Sequence, residues 1–412
     1  MRILVYGINY APELTGVGKY TGEMCEWLAS QGHEVKVVCA PPYYPAWRVA
    51  EGYSATGYSR ENLNGVTVMR CPLWIPARQS GIRRIMHLFS FAISTLPVVL
   101  GTALGWRPDV VFVLEPTFFC APVALLAARL AGAKTWLHIQ DLELDAAFAL
   151  NLIRSRLLQR MVENAERFIM GMFDLVSSIS SSMLAKIHAK RVSRGSTFCF
   201  PNWVDTKIIF PIQGDNHLRK EWGISPDSIV VLYSGNMGEK QGLEIVVEAA
   251  RILSHDKRIQ FVLSGDGSAR QRLENLANGV ASIKFTHLQP LERLNDLLNL
   301  ADIHMLPQRS DVASLVMPSK LLGMLASARP VVATVAAGSE LAPLVSRCGI
   351  VVLPGDAHAL AEAIQLLADH PEMRVDLGAT ARELCVAQWD SRGVLTAFEK
   401  KLTQLCSGLP DA

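Results

Sequence analysis

The sequence predicts an α/β protein of two domains, each a parallel sheet with helices on both faces. Three observations carry this expectation. The chain has 412 residues, and single hydrophobic cores stop growing at about 250–300 residues. Apolar runs of strand length alternate with longer helical patterns, the mark of repeated strand–helix–strand units. The alternation lapses over 201–226 and then starts again.

In chain order, residues 2–7 read as a strand, 17–31 as a helix and 34–39 as a strand. Buried strands follow at 65–70, 109–114, 134–139 and 174–179. The second set is 229–234, 259–264, 283–286, 302–306, 331–334 and 350–353. Between the sets, Pro201, Pro211 and Pro226 punctuate a stretch without a period. The expected division is a domain over 1–205, a hinge over 206–226, a domain over 227–385 and a helix over 386–412 that packs toward the first domain. The tail from 371 to 406 is helical throughout, with no strand after it.

The formal net charge is +2, half the residues are hydrophobic and 19% are charged. This excludes a disordered or collagen-like chain. The near-neutral balance argues against nucleic acid as a partner, and the positive mean hydropathy raises contact with a membrane. Cys25, Cys39, Cys71, Cys120, Cys199, Cys348, Cys385 and Cys406 are all more than four positions apart. That spacing suits neither a zinc site nor a disulfide framework, and reads as reduced thiols in a cytoplasmic protein. The apolar run Ile3 to Tyr6 is too short for a signal peptide.

Each half has glycines after its first strand. The first half has Gly7, then Tyr10-Ala11-Pro12, then Gly16-Val17-Gly18-Lys19. Such glycines let a ligand approach the backbone, and free N–H groups at a helix start attract anions; a tight turn without a ligand fits equally. The spacing does not match the dinucleotide fingerprint. In the second half, Gly235-Asn236-Met237-Gly238-Glu239-Lys240-Gln241-Gly242 reads as a diphosphate cradle. Asn236, Gly238 and Lys240 are its candidates, with a solvated surface lysine the alternative for Lys240. Gly265-Asp266-Gly267 repeats the theme, Asp266 itself reading as a turn residue. Met317-Pro318-Ser319-Lys320 reads as a helix start, the helix running to about Ser327. There Ser319 either binds a phosphate or sugar hydroxyl or serves as a plain N-cap.

Taken in order, these segments resemble the GT-B glycosyltransferases, specifically glycosyltransferase family four. The likeness spans Pro12, Gly16 and Gly18, Gly32-His33-Glu34-Val35 and Pro201-Asn202-Trp203-Val204-Asp205. It continues through Gly235 to Gly242, Gly265 to Gly267, Pro318-Ser319-Lys320 and Ala326 to Thr334. It implies two facing Rossmann-like domains, a nucleotide sugar in the second and an acceptor in the first. It also implies retention at the anomeric carbon, with no cofactor and no metal. A narrower likeness, to fucose-transferring members of colanic acid biosynthesis, implies GDP-fucose as donor. The acceptor would be a polyprenyl-diphosphate-linked oligosaccharide at the inner membrane surface. A sugar-nucleotide epimerase of the same fold and a non-catalytic assembly paralogue are the alternatives; oligomeric state stays open. Many members carry two glutamates beside the donor sugar and ribose. Those positions are Leu315 and Gly323 here, which leaves Ser319, Lys320 or Glu340 to hold the donor. The arginine and lysine of the usual diphosphate loop are replaced by Asn236 and Gln241, with Lys240 one residue early.

His138-Ile139-Gln140-Asp141-Leu142-Glu143-Leu144-Asp145 forms an acidic cluster after a strand. Alternate acids suit a divalent metal, and N-capping of a following helix suits Asp145. The resemblance gives a third reading, in which Asp141 orients the acceptor hydroxyl and helps take its proton. Glu143 is second to it, and His138 reads as a core histidine.

Between Glu61 and Asp109 the sequence has no acid and carries Arg70, Arg78, Arg83, Arg84 and Arg107. From Ile85 to Trp106 no residue has a fixed charge. The stretch is long enough to span a bilayer. However, it joins two strands of one sheet, and Pro97 is expected to break it. An interfacial element with arginines on anionic headgroups is therefore expected, against a buried crossover helix. Arg154, Arg156, Arg160, Lys186, Lys190, Arg191 and Arg194 add to a positive face.

Overall fold

The computed structural model describes residues 1–13, 16–76, 81–115, 118–141, 155–190, 192–214, 216–309, 318–336 and 338–408. Two compact units result. The first comprises Met1–Asn202 with Leu395–Ala412, the second Trp203–Val394.

The first unit holds β1 (Arg2–Tyr6), α1 (Gly16–Ser30), β2 (Glu34–Cys39), β3 (Ser59–Leu63), β4 (Val66–Arg70), α2 (Gly81–Trp106), β5 (Val110–Glu115), α3 (Ala121–Ala131) and β6 (Lys134–Ile139). After these come α4 (Arg156–Met170), β7 (Leu175–Ser178), α5 (Ser181–Ala189) and β8 (Thr197–Cys199). The sheet order is β3-β4-β2-β1-β5-β6-β7-β8. Every neighbouring pair is parallel except β3 with β4. The direction of winding reverses between β1 and β5, the kind of switch point beside which open α/β sheets bind ligands.

Strand β3 was not expected, because its residues are polar and largely exposed. Its signal was the dipeptide Asn64-Gly65. Both residues have positive φ, 51° and 85°, and Leu63 pairs with Val66 across them, as in a two-residue hairpin. The three-residue edge strand β8 also went unread. Pro97 does not break its segment: α2 runs unbroken through it. The ring lies on the exposed side, while Leu88, Phe91, Ala92, Thr95, Val99 and Ala103 are buried.

The second unit holds α6 (His217–Glu221), β9 (Ile229–Ser234), α7 (Glu244–Ile252), β10 (Ile259–Ser264), α8 (Arg270–Leu276), β11 (Ile283–Thr286), α9 (Leu294–Leu300) and β12 (Ile303–Pro307). It continues with α10 (Ser319–Ala326), β13 (Val331–Thr334), α11 (Leu341–Cys348), β14 (Gly349–Val352), α12 (Ala357–Asp369) and α13 (Pro371–Trp389). Its sheet is wholly parallel, in the order β11-β10-β9-β12-β13-β14. The switch point falls between β9 and β12. Residues 203–209 are fastened to α13 by Arg382, which donates to the carbonyls of Thr206, Ile209 and Ala326. The helical tail is interrupted at Asp390, which bridges to Val204. The last helix, α14 (Ser391–Ser407), brings Phe398 onto the first sheet. There Phe398 stacks on Phe200 at 4.3 Å and packs against Trp136 at 4.9 Å.

The turns after β9 and β10 interlock. Gly235 N–H donates to Ser264 O at 2.9 Å and Met237 N–H to Asp266 O at 2.8 Å. A Cβ on Gly265 would lie 1.8 Å from Gly235 O, and one on Gly267 would lie 2.4 Å from Met237 O. Their φ values, +155° and +156°, also belong to glycine. Gly265→Ala should therefore cost about 2–5 kcal/mol of stability from strain plus overlap. Gly279 has φ +81° with open space around it, so Gly279→Ala should cost only about 1 kcal/mol. Urea unfolding of both variants checks this; equal losses would show that φ alone constrains the turn.

Candidate functional site

In the second unit, the loop Gly235–Gly242, the turn Gly265–Gly267, Arg309 and Glu340 follow β9, β10, β12 and β13 and share one sheet edge. Tyr233, near the end of β9, is fully buried. Its hydroxyl donates to Asn236 O at 2.5 Å and so pins the loop. The Lys320 ammonium sits 4.4 Å from the Tyr233 ring centroid. Its Nζ is completely buried and has no hydrogen-bond partner among the described residues, although the stem of the side chain is partly exposed. Burial pushes the ammonium down to about 7. The side chain passes the first turn of the loop, since a Cβ on Gly235 would meet Lys320 Cδ at 3.8 Å.

A second orphaned polar atom lies at the same loop. Gln241 Oε1 is buried without a partner among the described residues, and a Cβ on Gly238 would sit 3.0 Å from it and 3.3 Å from Asn236 Nδ2. Gly242 is left-handed at φ +60°, and a Cβ there would strike Arg309 Cγ at 2.8 Å. An arginine thus stands against the loop from β12, one strand away. Buried polar atoms in native folds nearly always find partners. A buried cation and a buried amide oxygen left over at a strand-to-helix turn mark a place built for a polar ligand.

Of the residues singled out from sequence, Asn236, Gly238 and Lys320 meet at this loop. The backbone of Lys240 lies in a short 3-10 turn, Glu239–Gln241. Gly265 and Gly267 have the backbone contact described above as their own reason for being glycine. Ser319 is exposed in the first turn of α10 and is not its N-cap; that position is Pro318, without a side-chain cap. Glu340 is the exposed N-cap residue of α11. Gly323 lies inside α10, where a Cβ would meet Leu298 Cδ1 at 3.1 Å; Leu315 lies outside the described residues. Asp266 is a turn residue, as expected. It accepts from Leu288 N–H at 3.0 Å and pairs with Arg270 and His287, and that amide with its partners holds the carboxyl below its usual range.

In the first unit, the corresponding edge carries Gly7 after β1, Glu115 at the end of β5 and Asp141 after β6. Asp141 is exposed there, and Glu143 and Asp145 lie outside the described residues. His138 is a core residue: it is hydrogen-bonded to Ser177 Oγ at 2.8 Å, packs on Phe112 and Phe200, and is pushed down to about 3 by burial. Gly16 opens α1 at φ +61°. Gly18 is buried against a carboxylate that sequence reasoning missed, since a Cβ on it would lie 2.6 Å from Glu13 Oε2. Glu13 Oε1 accepts from the amides of Tyr43 and Tyr44 at 3.0 Å each, and Oε2 accepts from Asn9 at 2.9 Å. Burial raises its carboxyl despite these donors. Glu115, at the other switch-point strand, is also buried.

The same unit exposes an apolar stripe. Ile82, Ile85, Met86, Phe89, Ile93 and Leu96 are 40–74% exposed along α2, at the spacing of one helix face. Leu126 and Leu130 of α3 and Leu157, Met161 and Phe168 of α4 are exposed as well. Right-handed crossovers put α2, α3 and α4 on one side of the sheet. The expected arginine rim is smaller than the sequence suggests. Arg70 is buried and bonded to Glu61, Ala40 O and Ala11 O. Arg107 lies beyond the far end of α2, about 39 Å along a 26-residue helix from its start. Arg83 and Arg84 are exposed at that start. Lys190 is engaged with Glu166 at 2.5 Å, and Arg78, Arg154 and Arg191 lie outside the described residues.

Residues 15–203 match the Glycosyl transferase 4-like domain, and residues 228–370 match Glycosyl transferases group 1. The chain is 41% identical over 411 residues to WcaI of Escherichia coli K12, covering 97% of this chain and 98% of that one. WcaI is provisionally described as a colanic acid biosynthesis glycosyl transferase. Among solved structures, sucrose-phosphate synthase of Thermosynechococcus elongatus superposes with a TM-score of 0.77 at 18% identity, over 99% of both chains. Anabaena Alr3699/HepE, in complex with UDP-glucose, superposes at 0.68 and 14% identity, over 98% of this chain and 100% of that one. These two likenesses are likenesses of fold.

The buried ammonium has a consequence for stability. The ordinary lysine value is 10.5 and the folded one about 7, so between these pH values the unfolded chain binds more protons and stability rises with pH. Below pH 7 the cost of the buried charge is present in full. Lys320→Met should therefore stabilise the fold by roughly 1–4 kcal/mol at pH 6, with the gain shrinking toward pH 10. Thermal melts across that range check the sign; a destabilised variant at pH 6 would mean that the lysine is satisfied.

Proposed function

Because the chain belongs to the glycosyltransferases, as a GT-B enzyme with a 4-like and a group 1 domain, we propose that it moves a hexose from a nucleotide sugar held by its second unit. The donor is GDP-fucose and the acceptor a polyprenyl-diphosphate-linked oligosaccharide of exopolysaccharide assembly. The observation that carries the donor half is the unpaired Lys320 ammonium at the Gly235–Gly242 loop. A diphosphate would supply the missing partner and pull the lysine back to its charged form. Gly235 and Met237 direct their N–H groups to the neighbouring turn, so a phosphate would meet the alternate amides of Asn236 and Gly238. Arg309 and Lys240 would add charge from outside, and Ser319 and Glu340 would offer hydroxyl contacts. As the glycosidic bond to phosphate breaks, negative charge grows on the leaving diphosphate, and a fixed buried cation stabilises it without reorganising. Asp141 would hold the acceptor hydroxyl and draw off its proton, with the product retaining the anomeric configuration.

The whole-length likeness to WcaI supports colanic acid assembly as the setting, and the proposed place is the cytoplasmic membrane surface. The α2–α4 face supports peripheral docking. Helix α2 is long and apolar enough to cross a bilayer, yet it links two strands of one sheet and buries its other side. Lying in the interface satisfies both facts.

Nucleotide release from GDP-fucose should depend on a polyprenyl-linked acceptor. Acceptor-independent conversion would instead indicate an epimerase, and no turnover a non-catalytic subunit. Asp141→Asn should lower turnover by about 10²-fold or more while GDP affinity holds. Lys320→Met should lower GDP affinity, and GDP binding to the native protein at pH 8 should take up protons, read from calorimetric heats in different buffers. Separately, Arg83→Glu with Arg84→Glu should release the protein from anionic vesicles, at ~1 kcal/mol per charge removed. High salt should mimic that change. Phe89→Ser with Leu96→Ser should release it even at low salt, and retention of both variants would place the docking face elsewhere.

A further inference from the structure

We infer that the first unit carries a dedicated pocket for the apolar chain and anionic head of a lipid carrier, beside the α2 stripe; the inference rests on the lipid-linked acceptor proposed above. An open cavity of about 670 Å³ lies between the 47–56 loop, the 72–75 strap and α2. That size is within the range of about 300–1,000 Å³ usual for small-molecule sites. Trp47, Leu73, Trp74 and Ile75 give it apolar walls, and Ser90 and Ser94 of α2 line its floor. Among the described lining residues, Arg48 is the one with a charge.

The walls are fixed in place. Trp74 N–H donates to Ser90 Oγ at 3.1 Å, Trp74 O meets His87 Nδ1 at 2.7 Å, and Ser94 Oγ donates to Pro72 O at 2.6 Å. From the other side, Tyr58 donates to Ser94 O at 2.9 Å. Trp47 is left-handed at φ 53°, a conformation that bulky residues rarely adopt and that concentrates at ligand sites. Its ring is held against Tyr43 at 5.6 Å and His87 at 5.2 Å. A strained tryptophan kept half-exposed over a cavity is not explained by packing alone.

The occupant follows from position and charge. Ser90 and Ser94 follow Phe89 and Ile93, so the cavity floor is the flank of the exposed apolar stripe. A prenyl chain leaving a bilayer along that stripe enters the pocket without crossing water. Arg48 then meets the phosphate at its end; Glu51 shares its loop, while the chain that forms the strap and α2 carries no acid between Glu61 and Asp109.

Farnesyl phosphate in dilute detergent is the probe, read by quenching of tryptophan fluorescence. Saturable quenching is expected, with the signal reduced in Trp47→Phe and Trp74→Phe. Ala55→Phe fills the cavity without removing a side-chain hydrogen bond and should weaken binding at least about tenfold; circular dichroism confirms its fold. Arg48→Glu should weaken farnesyl phosphate but not farnesol. GDP affinity should stay unchanged in all four variants, so loss of the donor reading and loss of the pocket are separable. Unaltered farnesyl phosphate binding in Ala55→Phe overturns the pocket. Equal quenching by an oligosaccharide lacking the lipid overturns the chain's assignment and makes the cavity a sugar subsite.

Discussion

The second unit depends on two turns touching where Gly265 and Gly267 leave no room for a side chain. Gly265 presses on the carbonyl of Gly235, and Gly267 on that of Met237. That contact sets the path of the loop after β9. The path brings Asn236 O within reach of the Tyr233 hydroxyl, and the Tyr233 ring becomes the surface over which Lys320 lies. A cation with no anion beside it among the described residues is tolerated there because an aromatic face offers part of the missing attraction. The switch point between β9 and β12 adds Arg309 from the neighbouring strand, packed against Gly242. One steric constraint between glycines thus determines where two cations and an orphaned amide gather.

Buried charge is treated differently in the first unit. Glu13 is sealed in, but three donors meet its two oxygens. Arg70 is sealed in, but Glu61 and two carbonyls take its guanidinium. Such satisfied charges tie loops together: Glu13 joins the turn after β1 to residues 43–44, and Arg70 joins β4 to Ala11 and Ala40. They rigidify the base from which the Trp47 loop projects. Lys320 is the contrasting case, buried and left open. The distinction between a charge that organises the fold and one that awaits a ligand is made by its partners, not by its burial.

That distinction explains what the sequence could disclose. Parallel strands buried on both faces are largely apolar runs, so β2, β6, β9, β10 and β13 were legible to the residue, as was the half-buried edge strand β11. The polar edge strand β3 had only its Asn64-Gly65 turn to announce it. The glycine loops were legible because glycine at a strand end has few uses. Tyr233, Arg309, Gln241 and Glu13 were not, because each acquires its role from a contact across the fold. The same blindness inflated the basic face. Arg70 and Lys190 counted as surface charges until Glu61 and Glu166 were found to engage them. Pro97 was misjudged for a related reason: a proline interrupts one backbone hydrogen bond, but the buried flank of α2 packs along its whole length and holds the helix together.

The absent glutamates are easier to understand against this geometry. At Gly323, α10 leaves almost no space beside Leu298, where a Cβ already sits 3.1 Å from Cδ1. A carboxylate in the neighbourhood would also offer Lys320 a partner and neutralise it. Without one, Lys320 keeps its lowered proton affinity until a ligand supplies the anion. On the proposed reading, donor binding then leans on the diphosphate, which every nucleotide sugar has, more than on ribose hydroxyls. Selection of one donor has to come from contacts to the base or the hexose. Such selection is strongest where a buried polar group is left unpaired by the wrong ligand. Gln241 Oε1 is such a group, a sealed acceptor against Gly238, and it belongs to the residue that replaces the loop's usual lysine. On the same reading, a glutamine where the resemblance expects a lysine removes a charge from the loop and leaves an acceptor that would tell ligands apart by whether they bring a donor.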